Sequence, residues 1–486
     1  MKKIYKHTIL FIISIFIFLC LIFTINLNPD HPEVTRTLAV AVLMALLWIT
    51  EAIPLPVTAL LPIILFPILG IMDGKKTASL YFNNIIFLFL GGFIMALAME
   101  KWQLHRRIAL KIILFMGTGY KRLLLGFMLA TAFLSMWISN TATVMMMTPI
   151  AIAVISKMED IGKKTAIRNF SIGLLLGIAY AASIGGIATL IGTPPNAIFA
   201  KIFEISFPDM PEISFSSWFM FAMPISIALF IFTWILLTVM YSPKTISLPN
   251  KSIFEEEFKK LGPMRYEEKI VATLFAILAV LWLTRSDIKI GSIFIHGWSS
   301  FLSYPKFIDD GTVAIAISFL LFVIPCSKGT DETIMDWKTA KKLPWGIILL
   351  FGGGFALAAG FKDSGLSLWI GNKFTCLKNV PIYILIGFIC IGVAILTEFA
   401  SNTASAQVIL PVMAGFSKAI NTNPLLIMIP ATIAASCAFM LPVATPPNAI
   451  IFGTERLTVW DMFKTGILID IFAIFVITIF SIFWFK

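Results

Sequence analysis

WISNTATVMMMTP (residues 137–149) and FASNTASAQVILP (residues 399–411) decide how this chain is read. Each lies inside a long apolar stretch, 121–157 and 382–420, and interrupts it near the middle with one polar triplet: Ser139-Asn140-Thr141 or Ser401-Asn402-Thr403. Polar backbone at membrane depth is tolerated only where protein or a water-filled cavity surrounds it. Both stretches are therefore expected to be re-entrant helical hairpins with the triplet at the apex. Ser, Asn and Thr cap helices well, because their side chains bond free N–H groups. An apex of this kind aims the N-terminus of its second arm at a cavity. That end carries about half a positive charge and unpaired donors, which suits an anion. The first arm ends in free carbonyls, which suit a hard cation such as Na⁺. A single triplet would read as a small-residue packing contact; two at matching places favour a site.

The rest of the chain repeats in the same way. FLFLGGFIMALA (87–98) matches ILLFGGGFALAA (348–359), and GTPPNAIFA (192–200) matches ATPPNAIIF (444–452). With the triplets, three blocks recur in one order, about 250–262 residues apart. A double proline inside an apolar run must break the helix, since two N–H groups are lost and the preceding residue is pushed to extended geometry. Gly192-Thr193-Pro194-Pro195-Asn196 and Ala444-Thr445-Pro446-Pro447-Asn448 are thus expected helix breaks with free carbonyls for a cation. The glycines at Gly91–Gly92 and Gly352–Gly354 sit mid-span, where close helix packing is the ordinary reason for them.

Composition sets the medium. The chain is 59% hydrophobic and 13% charged over 486 residues, with mean hydropathy +0.94. A soluble domain is nearer 45–50% apolar and about 25% charged. A helical crossing needs about 20 apolar residues, and such runs recur at 8–26, 34–52, 57–71, 81–99, 171–203, 220–241, 268–285, 311–325, 345–361, 425–452 and 462–485. The runs are continuous rather than alternating, which argues against a β-barrel. The net charge of +11 reflects loops between spans rather than nucleic-acid binding. With the N-terminus inside, the inner loops hold Lys101, Arg106, Arg107, Lys111, Lys121 and Arg122, then Lys157, Lys163, Lys164 and Arg168, then Lys244, Lys251, Lys259, Lys260, Arg265 and Lys269, and finally Lys328, Lys338, Lys341 and Lys342. Lys75, Lys76, Lys289, Lys306, Lys362, Lys373 and Lys378 fall outside and run against the rule. Each repeat has five crossings, an odd number, so the second copy is expected upside down, an arrangement typical of transporters with a midplane site. The five cysteines show no metal or redox spacing.

The paired SNT and TPPN motifs resemble those of the divalent anion:sodium symporter family, over roughly residues 35–486. The resemblance implies an all-α membrane protein of about eleven transmembrane helices plus two re-entrant hairpins in an inverted repeat. It implies scaffold and transport domains of the elevator type, a homodimer, and a bacterial inner membrane with the N-terminus cytoplasmic. The expected division is an N-terminal helix (1–33) and repeat 1 (34–241; scaffold 34–119, transport 120–205, scaffold 206–241). Repeat 2 is 268–486 (scaffold 268–379, transport 380–455, scaffold 456–486). The implied function is secondary transport of a C4-dicarboxylate (succinate, malate, fumarate) with sodium ions. Carried over, one sodium site uses Ser135, Ser139, Asn140 and Gly192, the other Thr397, Ala400, Asn402 and Ala444. Substrate carboxylates meet Asn140, Thr141, Thr193, Asn402, Thr403, Thr445 and Pro446. Ser135 and Thr397 each precede the triplet serine by one helical turn, so both can face one ion.

Charge gives an independent argument for sodium. A dianion in a low-dielectric site costs several kcal/mol per unpaired charge, yet no Lys or Arg stands beside either Asn-Thr pair, and His7, His31, His105 and His296 fall at or outside span ends. Bound sodium and helix N-termini are the remaining means of compensation. Glu398, next to the second apex, either carries a coupling proton or, as expected here, pairs with backbone or a polar neighbour. An enzyme is not expected: HExxH, a P-loop and an Asp pair in facing spans are all lacking. The alternatives left open are a sodium-independent dicarboxylate exchanger and a carrier of citrate or sulfate.

Overall fold

The computed structural model describes residues 2–117, 119–159, 164–243, 252–290, 293–327 and 332–485; Lys163, Lys244, Lys251 and Lys328 of the loop-charge pattern lie outside them. The first half runs α1 (Lys2–Thr24), α2 (Pro32–Thr50), α3 (Leu55–Thr58), α4 (Leu61–Ile68), α5 (Gly74–Ser79), α6 (Asn84–Lys101), α7 (Leu104–Met116), α8 (Tyr120–Ser135), α9 (Asn140–Glu159), α10 (Lys164–Ile187), α11 (Pro194–Ser206) and α12 (Phe215–Tyr241). After α13 (Ser252–Lys260) the second half runs α14 (Tyr266–Thr284), a β1–β2 hairpin (Ile288–Ile290, Ile293–Ile295), α15 (Asp310–Val323), α16 (Trp337–Ala340), α17 (Trp345–Asp363), α18 (Leu366–Lys373), α19 (Ile382–Phe399), α20 (Asn402–Ala419), α21 (Leu425–Ala434), α22 (Pro446–Phe452) and α23 (Val459–Phe485). Among the described residues, 9 helices are long and apolar enough to cross a membrane, among them the hairpin arms α9 and α19. Of the other expected crossings, 57–71, 311–325 and 425–452 are short or broken helices, and 268–285 is the continuous α14, whose first turn holds Glu267, Glu268 and Lys269.

The breaks fall where the sequence puts polar or proline residues. α8 stops at Ser135 and α9 starts at Asn140; α19 stops at Phe399 and α20 starts at Asn402. Both double prolines open a new helix at its first turn, where the missing N–H groups have no partner to lose. The run 57–71 is likewise split into α3 and α4, with Pro56 and Pro62 at their first turns.

Two expectations need correction. Segment 101–122, read as a charged loop, holds α7, and 242–269 holds α13. Their cations are partly structural: Arg107 is buried and bonds Glu268 at 2.5 and 3.0 Å and the Gly262 carbonyl at 3.0 Å, while Arg106 reaches Glu257 at 2.5 Å. The all-α expectation holds, with one short antiparallel β1–β2 pair beside the helices.

Glycine sets the closest helix contacts, as its mid-span position suggested. A Cβ on Gly91 would lie 2.5 Å from the Ala314 methyl of α15, and one on Gly353 would overlap the Ala59 carbonyl. α6 packs on α15, and α17 on α2, α3 and α4. The hairpin arms have their own neighbours. α8 and α9 pack on α10, α18 and α21 pack on α20, and α19 packs on α21. α12 lies along α10 and α23, and α23 along α19 and α21.

Candidate functional site

The first apex is a knot of oxygens. Ser135, fully buried at the end of α8, donates its hydroxyl to Asn140 Oδ1 at 2.5 Å. The Asn140 amide also faces the Gly192 carbonyl, 3.3 Å away, and the Ala182 carbonyl, 3.2 Å away. Set one way, its nitrogen donates to both; set the other, three oxygens converge with Ser135 Oγ. The second setting suits a hard cation, and the first satisfies the apex without one. Gly192 and Gly186 approach so closely that a Cβ on Gly192 would lie 2.8 Å from Gly186 Cα. Ser139 accepts from the Ala142 N–H at 3.3 Å, the cap expected of it.

The second apex is built alike. Thr397, fully buried in the last turn of α19, places its hydroxyl 2.7 Å from Asn402 Oδ1 and 2.9 Å from the Ala435 carbonyl. Ser401 differs from Ser139: its side chain makes no cap bond, so its hydroxyl stays available. Ala400 and Ala444 are buried at the two breaks, but no hydrogen bond among the described residues joins them to Thr397 or Asn402. Glu398 pairs with backbone, as expected. It accepts from the Met440 and Leu441 amides at 2.8 and 2.9 Å.

Both broken helices are stapled by the asparagine after their prolines. Asn196 donates to the carbonyls of Gly186, Ile187 and Thr189 at 3.1, 3.2 and 2.7 Å. Asn448 donates to those of Ala438 and Leu441 at 3.1 and 3.0 Å. The sequence offsets agree: ten and seven residues back in both copies. The repeat read from sequence thus reappears in two of these bonds, with the Ile187 bond added in the first copy. Sequence reasoning quoted Asn196 and Asn448 within the motifs and gave them no role; their recurrence after Pro-Pro was the available signal.

Of the expected substrate residues, Thr193, Thr403 and Thr445 are buried, Asn140, Thr141 and Asn402 half-buried, and Pro446 exposed. No hydrogen bond among the described residues links Asn140 or Thr141 to Asn402 or Thr403. The halves meet instead through exchanged packing: α11 lies on α20, and α22 lies on α9 and α10.

The family described as "Sodium:sulfate symporter transmembrane region" matches residues 2–486. The chain belongs to this family. The sodium-dependent dicarboxylate transporter SdcS of Staphylococcus saprophyticus is 43% identical over 449 residues, covering 91% of this chain and 84% of that protein. SdcS of Staphylococcus aureus is 44% identical over 470 residues, covering 94% and 88%. Among solved structures, the Alcanivorax borkumensis YdaH transporter aligns with TM-score 0.56 at 14% identity, over 86% of this chain and 87% of its own. Neisseria gonorrhoeae MtrF aligns with TM-score 0.56 at 14% identity, over 96% and 97%. These two likenesses bear on fold alone. Membership in the sodium:sulfate symporter family makes the chain a multi-pass membrane transporter.

Proposed function

We propose that the chain co-transports sodium ions with a dicarboxylate of the C4 class, by alternating access. The observation that carries this is the pair of oxygen-rich apices, Ser135/Asn140 with the Gly192 and Ala182 carbonyls and Thr397/Asn402 with the Ala435 carbonyl. Hydroxyl, amide and carbonyl oxygens of this kind are the ligands a hard cation takes. Each apex also opens an α-helix, α9 or α20, whose free N–H groups favour a carboxylate. The sodium sets are Ser135, Ser139, Asn140 and Gly192, and Thr397, Ala400, Asn402 and Ala444. The substrate set is Asn140, Thr141, Thr193, Asn402, Thr403, Thr445 and Pro446. The names of the SdcS relatives support both cargoes.

The proposed mobile core comprises the hairpins and broken helices. Packing favours adding α12 and α23 to it, because α12 lies along α10, and α23 along α19 and α21. The proposed homodimer sits in a bacterial inner membrane with the N-terminus cytoplasmic. Succinate uptake into proteoliposomes should collapse when external sodium is replaced by choline; unchanged uptake overturns sodium coupling. The family's description names sulfate, so sulfate serves as the competitor. Strong inhibition of succinate uptake by equimolar sulfate would favour the inorganic dianion.

A further inference from the structure

Asp470 stands mid-way along the 27-residue apolar helix α23 and is 4% exposed. Neither of its carboxylate oxygens has a hydrogen-bond partner among the described residues; the polar backbone group turned toward it is the Phe439 amide. α23 is pressed against that stretch. Gly466, one turn before Asp470, lies so close that a Cβ there would stand 2.7 Å from Met440 Cα.

The titratable groups facing Asp470 are Glu398 from α19, Cys437 from the segment between α21 and α22, and Tyr180 from α10. None is basic. α21 carries no titratable side chain, and that of α12, Tyr241, bonds Thr465 at 2.8 Å. On α23 itself, Lys464 turns to Asp461 at 3.5 Å. Glu398 already spends both its oxygens on the Met440 and Leu441 amides. A second bare carboxylate beside it would meet a like charge and no cation, at several kcal/mol for an unpaired buried ion. A metal ion would need a cage of oxygen donors. Here the surroundings are the Glu398 carboxylate, already held by two backbone amides, the Cys437 thiol and the Tyr180 side chain, whose ring lies edge-on to Phe439 at 5.4 Å. A proton needs no cage.

We propose that Asp470 is a proton-binding site of the transport core, and that its proton is part of the transport-competent state. An O–H bond forms on the carboxylate with a proton from bulk water and breaks to return it there. Losing that proton sets a negative charge against Glu398, whose two backbone bonds hold the segment leading to Ala444 and Thr445. This rests on the carrier reading above and adds a proton to the ions it binds.

Three measurements on the purified full-length protein test it. Infrared difference spectra of the wild type at neutral pH should show a protonated-carboxyl C=O band that shifts in D₂O and is missing from Asp470→Asn. In detergent, the wild-type melting temperature should fall relative to Asp470→Asn between pH 6 and pH 8.5, because a proton bound by the native state stabilises it below the pH at which it leaves. In proteoliposomes, sodium-driven succinate uptake by the wild type should drop about fivefold or more relative to Asp470→Asn as the pH is raised through the loss of that infrared band, substrate titration being common to both. Absence of the wild-type band overturns the proposal even where the variant does not fold. Parallel pH profiles of melting or uptake overturn it too. A carrier that takes up no succinate at any pH fails the functional reading instead, and the infrared and melting results still decide the proton site.

Discussion

Replacing Asn448 with Ala should loosen the second ion apex without touching any residue proposed to bind an ion. The Asn448 amide reaches back over the helix break to the Ala438 and Leu441 carbonyls at 3.1 and 3.0 Å, and the side chain is fully buried. Alanine leaves the buried Ala438 carbonyl without this donor, at about 1–3 kcal/mol. The half-buried Leu441 carbonyl keeps the Ala444 N–H at 3.3 Å. The cost falls on the segment between Ala435, whose carbonyl faces Thr397, and Ala444. With each 1.4 kcal/mol worth tenfold in an equilibrium constant, sodium affinity should drop about 5- to 140-fold. The assay is a sodium titration of the melting temperature of purified protein, since ligand bound to the native state raises it by mass action. Asn196→Ala removes three bonds rather than two and should weaken sodium binding at least as much. Sodium titrations of both variants that overlay the wild type would refute the staple.

Other substitutions probe other parts. Asn140→Ala and Asn402→Ala should each abolish sodium-dependent succinate uptake while leaving yield and elution volume unchanged; wild-type uptake by either would make the apices structural only. Arg285 bonds Asp310 at 2.5 Å and Glu212 at 2.6 Å, and both Arg285 and Asp310 are buried. Arg285→Met should destabilise the protein by about 3–5 kcal/mol, read as a lower melting temperature, because it leaves a buried carboxylate unpaired. Lys101 donates to Asp336 at 2.7 Å, and this bond holds the Asp336 carboxyl below the usual carboxylate range. A depressed native-state value gives stability that is present above the ordinary carboxylate range and lost as pH falls through the native one. Lys101→Met should therefore lower the melting temperature at pH 7, with the difference from wild type shrinking under strong acid.

The repeat, both hairpins and both broken helices were legible because polar triplets and double prolines inside apolar runs have few structural uses. α7 was not legible, since Arg106, Arg107 and Lys111 give an amphipathic helix the charge of a loop, and only the tertiary partners Glu257 and Glu268 show that two of these cations are structural. The residue types at the breaks were legible, but their hydrogen-bond partners were not. Nothing local says that Thr397 meets Ala435, 38 residues on, or that Asn196 bends back over its own break. Glu398 drew notice because it adjoins an apex. Asp470 did not, because its significance lies in what faces it across the core.

The exchanged packing explains how one bound ion could be felt at the other apex. α20, which begins at Asn402, is backed by α11 of the first repeat, and α9, which begins at Asn140, by α22 of the second. Each crossed pair is tied at its far end by a base: Lys418, just before the end of α20, donates to the Ser206 carbonyl that ends α11 at 2.8 Å, and Arg456, beyond α22, clasps Glu159 at the end of α9. The second arm of each hairpin is thus fastened to the broken helix of the opposite repeat. An ion that tightens the Gly192 break against Asn140 also fixes α11, and with it the helix that presents Asn402. Order imposed at one apex then need not be imposed again at the other, which is the thermodynamic condition for positive cooperativity. Two sites built within their own repeats, with no crossed packing, would lack that coupling; the crossed packing of α11 and α22 is the route by which the two proposed sites would communicate.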